Sequence, residues 1–236
     1  YVPPLKDVRG VDSQSMEPLV SHNVAFAYHG GGAFLHEATV EPVKALVDPF
    51  IKLGAEAFII DAGWYEGAPW GEWMGNWTYS RDKYPDGFRS IADPLAAADV
   101  RFGIWFASEM VASQVPLVRE RPDWIRQHQP GAGGTLHMEM PEARQWFLDQ
   151  VEDLIRNQGM TCYRQDGAGG NFTDEPNRQG IDETRHMEGV YESWDGLFEM
   201  LPSILMEGCS GGGRRIDLES ISRFHWHQKS DLWFRS

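Results

Sequence analysis

Cysteine is scarce in this chain, with only Cys162 and Cys209 among 236 residues. Two cysteines cannot build a disulfide framework, and no Cys/His cluster has the spacing of a zinc site. His186, His225 and His227 are scattered without companion ligands, so neither a metal nor a cofactor is expected. Long hydrophobic runs are missing too. The longest, Ala57–Ile60 and Phe102–Ala107, fall far short of the roughly 20 residues of a membrane-spanning helix. Basic residues are outnumbered, 21 Lys and Arg against 35 Asp and Glu, for a net charge of −14. That excludes a nucleic-acid partner, which needs clustered Lys and Arg, and disfavours an anionic membrane surface. A dinucleotide fingerprint of the G-x-G-x-x-G kind after a strand is also absent. The reduced, sparse cysteines and the lack of a charged, apolar leader lead to the expectation of a cytoplasmic protein. Tyr1 is not a start methionine, so the N-terminus is read as already cut.

Against these absences, hydrophobic residues make up 42% of the chain, which is the composition of a globular protein. Ten tryptophans are a high number for this length. Tryptophan is often core filler, but the apolar C–H face of a pyranose also stacks on an indole ring. Composition therefore leans toward carbohydrate without deciding it.

The order of elements is more informative. The chain repeats a short apolar strand, a polar or glycine-rich loop and an amphipathic helix. Val24–Tyr28 is expected to be the first strand, followed by the glycines Gly30–Gly32 and a helix from about Glu41 to Leu53. Ala57–Asp61 is the next strand, with a long loop carrying Trp64, Trp70, Trp73 and Trp77. A helix near Phe88–Ala98 leads to a strand at Arg101–Phe106. Pro141 opens a helix at its first turn, where a missing N–H costs nothing. Strand Thr161–Arg164, a helix over about Glu183–Met200, strand Ser203–Glu207 and a last strand near Phe224–Lys229 complete the series.

Alternating β and α elements with apolar strands imply a parallel sheet. Polar residues follow nearly every strand: His29, Asp61, Glu109, Asp166, Glu207 and Asp231. In a (β/α)8 TIM barrel that end of the sheet carries the active site. A doubly wound sheet would use only its switch point. The expectation is thus an α/β (β/α)8 barrel, truncated after about six strands. Residues 1–20 are read as a linker from a preceding region and residues 21–236 as the partial barrel.

Hydrolysis of a glycosidic bond needs two carboxyl groups facing it, one to attack or to activate water and one to protonate the leaving oxygen. Asp61, Asp166 and Asp231 are the best candidates, since each follows apolar or β-forming residues. Any one alone reads first as a helix cap or surface turn; three at equivalent points of a repeat shift the reading toward catalysis. The sharpest local signal is CSGGGRRID, Cys209–Asp217. Three consecutive glycines after a strand permit positive φ and close backbone approach. A P-loop is excluded because no Gly-Lys-Ser/Thr follows. Arg214, Arg215 and Asp217 are expected to lock this loop by ion pairing. Glu109 and Glu207 read either as orienting groups or as ordinary ion-pair partners, and Trp73 and Trp77 either as a platform for a second sugar or as packing.

Taken in order, these motifs resemble the catalytic domain of the α-galactosidases of glycoside hydrolase family 36, in a bacterial subgroup. IDAGWY (Ile60–Tyr65) is similar to that family's Asp-Gly-Trp strand end, and FGIWFASEMV (Phe102–Val111) to its G-[LI]-W-F-x-x-E-M-V segment. YRQD (Tyr163–Asp166) occupies the nucleophile strand, and RQGIDETRHMEGVY (Arg178–Tyr191) matches a helix of the subgroup. EGCSGGGRRIDLES (Glu207–Ser220), followed by KSD (Lys229–Asp231), is the most specific piece. The resemblance implies a retaining glycosidase working on an α-galactoside or oligosaccharide by double displacement. It makes Asp166 the nucleophile and Asp231 the general acid and then base. It gives Asp61 and Arg164 sugar hydroxyls to bind, puts Trp105 in the pocket wall and Trp64 at its rim, and sets Cys209 and Gly212 beside the C2 substituent.

Three departures from the family pattern touch sugar recognition. Ala62 stands where many relatives carry a second Asp, which removes an acceptor of a kind worth about 1.5–3 kcal/mol. Arg164 replaces a frequent Lys, exchanging a point charge for a planar fork. Gly-Ala-Gly-Gly after Asp166 lacks the Asn and Arg that often follow. Transglycosylation, action on another α-glycoside such as an N-acetylgalactosaminide or a glucoside, and a non-catalytic sugar-binding fragment therefore stay open as alternatives, as does a homo-oligomer.

Overall fold

The computed structural model describes residues 19–27, 38–68, 70–127, 129–167, 170, 172, 177 and 180–231. Among these, nine strands are present. β1 (Ser21–Asn23), β2 (Ala57–Ile60) and β3 (Arg101–Phe106) come first. Three short strands follow, β4 (Met110–Val111), β5 (Ile125–Gln127) and β6 (Gly134–Leu136), and then β7 (Cys162–Gln165), β8 (Leu205–Gly208) and β9 (Trp226–His227). Six of them make one parallel sheet in the order β1-β2-β3-β7-β8-β9, so barrel strands that are consecutive along the chain are neighbours in space. Helices Val40–Lys52, Arg89–Ala97, Pro141–Gln158, Ile181–Met200 and Leu218–Arg223 lie in the successive connections. This is six strands' worth of a (β/α) barrel, as the repeat predicts.

The strands are short runs buried on both faces. Every residue of β2 and β7 is buried, as expected for a parallel sheet covered by helices. The helices supply the outer layer through one stripe each. In Pro141–Gln158 the proline sits in the first turn, Phe147, Leu148, Val151 and Leu154 are buried, and Gly159 ends the helix at φ +79°. The Gly159 N–H bonds back to the Leu154 carbonyl, the usual use of a left-handed glycine after a helix. Trp146 and Ile155 flank this stripe and are only partly covered.

Two expectations are corrected. The first strand covers Ser21–Asn23, and Val24–Ala27 forms a 3-10 turn instead of continuing it. The Asn23 side-chain oxygen accepts the Ala25 N–H at 2.9 Å, an Asx turn that bends the backbone out of the ladder. Tyr28, His29 and Gly30–Gly32 lie outside the described residues. The last strand shrinks from Phe224–Lys229 to Trp226–His227, because after Gln228 N–H bonds to Gly208 O the chain turns away toward Asp231. Unforeseen is a separate antiparallel sheet, β4-β6-β5, inserted after β3. No helix among the described residues is long and apolar enough to cross a membrane.

Five tryptophans, Trp64, Trp77, Trp105, Trp124 and Trp194, are buried in the core. The loop after β2 folds back so that Trp64, Tyr65 and Trp77 pack with Phe88 and Phe106 in edge-on and stacked pairs, ring centroids 5.3–6.1 Å apart. Each buried ring contributes about 1.5–3 kcal/mol of transfer free energy and fixes its neighbours' rotamers. Trp77 is thereby packing and not a sugar platform.

Candidate active site

Register places the chemistry. Trp105 on β3, Arg164 on β7 and Glu207 on β8 are successive cross-strand partners. Side chains two apart share a sheet face, so Asp166, just beyond β7, lies on the same side as Arg164. The Asp166 N–H donates to the Phe106 carbonyl at 2.7 Å and extends the ladder by one bond. Its carboxylate accepts three N–H bonds: Trp105 Nε1 to Oδ2 at 3.0 Å, and Gly167 N and Gly211 N to Oδ1, both at 2.7 Å. Donors aimed at an ionised carboxylate hold it in one orientation. The Trp105 indole is itself held. Trp77 meets its edge with centroids 6.2 Å apart, and the Trp105 carbonyl accepts the Trp64 indole N–H at 2.8 Å.

The glycine segment forms a tight turn after β8. Gly211, Gly212 and Gly213 have φ of +63°, +78° and +90°, and Ser210 before them has +51°. Only glycine adopts such a run without steric cost. Gly212 is also required by space, since a Cβ there would lie 2.6 Å from the Asp231 backbone nitrogen. The turn touches both candidate carboxylates. Gly211 donates to Asp166, while the Cys209 thiol donates to Asp231 Oδ1 at 3.7 Å and accepts from Gly212 N at 3.4 Å. Gln228 Nε2 adds a 3.0 Å bond to the same Asp231 oxygen. Burial pushes the Cys209 thiol up, Arg164 opposes this, and Asp166 and Asp231 add to the rise. The thiol therefore stays protonated and able to donate.

Asp61 follows β2 and is set by a different kind of contact. Asn23 Nδ2 donates to Oδ2, Ala62 N donates to Oδ1 at 2.9 Å, and Arg164 Nε stands 3.4 Å away. Arg164 Nη1 is 2.7 Å from Glu207 Oε1, close but not aligned as a hydrogen bond. Its Nη2 donates to Gln228 Oε1 at 2.9 Å. Burial weakens the guanidinium charge, but Glu207 and Asp61 more than offset it, so the Arg164 pKa is raised. Two carboxylates share this one cation. Burial raises the Asp61 pKa, and Arg164, Asn23 and the Ala62 N–H only partly counter it.

The structure thus brings Asp61, Arg164, Trp105, Asp166, Cys209, Gly212 and Asp231 into one region at the C-terminal ends of the strands. Trp64 is corrected. It is completely buried, and its one polar atom is spent on the Trp105 carbonyl, so it backs the wall and forms no rim. Arg164 is 1% exposed, and its guanidinium faces Asp61, Glu207 and Gln228, with Nη2 alone in an aligned hydrogen bond. The loop-locking ions also divide. Arg215 pairs with Glu109, whereas Asp217 caps the helix Leu218–Arg223 by accepting the Ser220 N–H in a capping box. Among the described residues Arg214 makes no ion pair. Cys162 is buried and free, as its apolar setting suggests. Sequence reasoning missed Asn23, Gly211 and Gln228. Gly211 sits inside a motif already singled out and Gln228 directly precedes another, KSD; Asn23 carries no signal beyond its place at a strand end.

Comparison with known proteins fits this geometry. The chain is 28% identical to α-galactosidase C of Emericella nidulans over 208 residues, covering 77% of this chain and 26% of that protein. It is 30% identical to an α-galactosidase of Escherichia coli over 196 residues, covering 76% and 26%. In structure it is similar to a variant of the family 36 α-galactosidase AgaA of Geobacillus stearothermophilus solved with stachyose. The TM-score is 0.75 at 23% identity, over 93% of this chain and 31% of that one. The chain therefore spans between a quarter and a third of the length of these relatives. A family-wide comparison matches residues 30–232 to the melibiase family, and on that match, which takes in both strand-end carboxylates and the glycine turn, the chain belongs to the melibiase family.

Proposed function

We propose that this chain is the catalytic core of a retaining glycosidase acting on α-galactosides, with Asp166 as nucleophile and Asp231 as general acid and base. The observation that carries the reading is the shared glycine turn, which bonds to Asp166 through Gly211 N and to Asp231 through the Cys209 thiol. The relatives' α-galactosidase names and the stachyose bound by the AgaA variant support an oligosaccharide with an α-galactosyl end as substrate.

In the first half of the reaction Asp231 gives its proton to the glycosidic oxygen while an Asp166 oxygen bonds to C1 and the C1–O bond breaks. The leaving sugar departs as an alcohol, and a β-linked galactosyl ester remains. In the second half Asp231, now a carboxylate, takes a proton from water, the water oxygen bonds to C1, and Asp166 is released as a carboxylate. Two inversions give net retention. Trp105 and the backbone N–H groups of Gly167 and Gly211 position the nucleophile. Asp61, held by Asn23 and Arg164, is the group we assign to sugar hydroxyls, while Gly212 and Cys209 lie toward the C2 side. The two free, buried cysteines support a reducing, cytoplasmic setting.

The test uses the full-length protein. NMR of the first product formed from an aryl α-galactoside should show the α anomer, and the two carboxyl groups should lie about 5–5.5 Å apart with a ligand bound. Formation of the β anomer, or a separation of about 6.5 Å or more, would contradict the double displacement. Initial rates across aryl α-glycosides, with product analysis at high acceptor concentration, separate galactoside hydrolysis from transfer to a sugar and from other α-glycosides.

A further inference from the structure

Gly211, Gly212 and Gly213 have no side chains with which to hold their left-handed backbone, yet their position decides how both carboxylates sit. An anchor from outside the turn is needed, because glycine loses more freedom on ordering than any other residue. Arg215 comes two residues after Gly213, and its side chain reaches across the fold to Glu109, 106 residues earlier. The pair is two-pronged: Arg215 Nη1 meets Glu109 Oε1, and Nη2 donates to Oε2 at 3.2 Å.

Glu109 is a fixed point. It is 1% exposed and sits between β3 and β4, and its carbonyl accepts the Leu136 N–H at 2.8 Å. His186, fully buried on the helix Ile181–Met200, meets Glu109 Oε2 through Nε2 at 2.8 Å, and His186 Nδ1 is 3.4 Å from Glu139. On the other side the Arg215 carbonyl accepts the Ser220 hydroxyl at 2.9 Å. The glycine turn is thereby tied to the end of β3, the inserted sheet and a barrel helix at once.

We infer that Glu109 and Arg215 are positioning residues for the proposed reaction, acting through the glycine turn on Asp166 and Asp231 without touching substrate. This rests on the reading of those two aspartates as the catalytic pair. A bidentate pair with one buried and one half-buried partner is specific in geometry, and a misplacement of about 1 Å from such a remote change can cost roughly a hundredfold in rate.

The experiment compares E109Q, R215K, the double variant E109Q/R215K and, separately, D166N in the full-length enzyme. It reads kcat and KM on an aryl α-galactoside, galactose affinity by calorimetry, and Tm. The expected result is a fall in kcat of about 10–100-fold in each single variant, with KM and galactose affinity within about threefold. The double variant should be no slower than the slower single variant, because the two residues act as one unit. Wild-type kcat in folded E109Q or R215K, or a drop in Tm alone, overturns the inference. If E109Q does not fold, R215K, which keeps the charge and loses only the fork, decides the matter by the same readings. Turnover by D166N would instead overturn the catalytic reading itself. An inactive D166N beside a fully active R215K would sink only the positioning role.

Discussion

Asp166 and Asp61 end neighbouring parts of the same sheet, yet they are held in opposite ways. Asp166 is oriented by three N–H groups, from Trp105, Gly167 and Gly211, and among the described residues no cation pairs with it. Asp61 is clamped by an arginine that also serves Glu207. Here three neutral donors fix direction and leave one of about four lone-pair sites, on Oδ2, open for bonding to carbon. A buried ion pair fixes position but ties the carboxylate to a partner whose loss is costly. That difference suits a nucleophile in the first case and a binding group in the second.

Removing either carboxylate's support should break the comparison cleanly. The largest effect is on turnover: D166N should lower kcat by roughly 10³–10⁶-fold with the circular dichroism spectrum unchanged and Tm little changed, since the amide oxygen can still accept from Gly167 N and Gly211 N and only the Trp105 bond is lost. Next comes stability at the other site. Arg164→Met leaves Asp61 and Glu207 buried without their cation and should cost about 3–5 kcal/mol in urea unfolding. Arg164→Lys should cost less. If Arg164→Met instead leaves stability intact and abolishes galactose binding, Arg164 works on the ligand and not on the clamp. A smaller effect is expected from Trp105→Phe, which keeps the ring in its aromatic nest and deletes one donor to Asp166. Such a bond is worth about 1.5–3 kcal/mol, so kcat should fall about 10–100-fold with Tm nearly constant.

The smallest expected effect is in pH-dependent stability, and it belongs to the brace. Burial works against the Glu109 charge, but His186 and Arg215 more than offset it and bring its pKa from 4.5 down to about 2. Burial likewise opposes the His186 charge, while Glu109 and Glu139 outweigh it and raise its pKa above 6.5. A lowered carboxylate stabilises the fold above its unfolded pKa and loses this as pH falls toward the folded value. A raised histidine stabilises below its unfolded pKa and loses this as pH rises through the folded one. The cluster therefore contributes most between pH 4.5 and 6.5. Urea midpoints measured from pH 4 to 9 should decline on the alkaline side, and E109Q should flatten that decline.

Much of this fold is legible in the sequence because its strands are short, apolar and separated by amphipathic helices. Arg101–Phe106 reads as a strand from its short apolar run, and the structure keeps the same boundaries. The early end of β1 is hidden because it depends on the Asn23 side chain capturing its own backbone. The inserted sheet is hidden because its strands are two or three residues long, too short to show a period. Asp61, Asp166 and Asp231 stand out as polar punctuation after apolar runs. The burial of Arg164 and Trp64 does not, since nothing local distinguishes a buried arginine from one that meets a ligand. The bonds from Glu109 to His186 and Arg215 span 77 and 106 residues, and no local pattern encodes contacts of that range.

The central claim is that Asp166 forms a bond to the sugar. The direct measurement is mass spectrometry of the full-length enzyme after reaction with a slow, fluorinated α-galactoside, followed by peptide mapping. The account predicts one added fluorinated hexosyl group, carried by the peptide that contains Asp166 and absent in D166N. A label on another carboxylate, or full turnover in D166N with no covalent species formed, would contradict it.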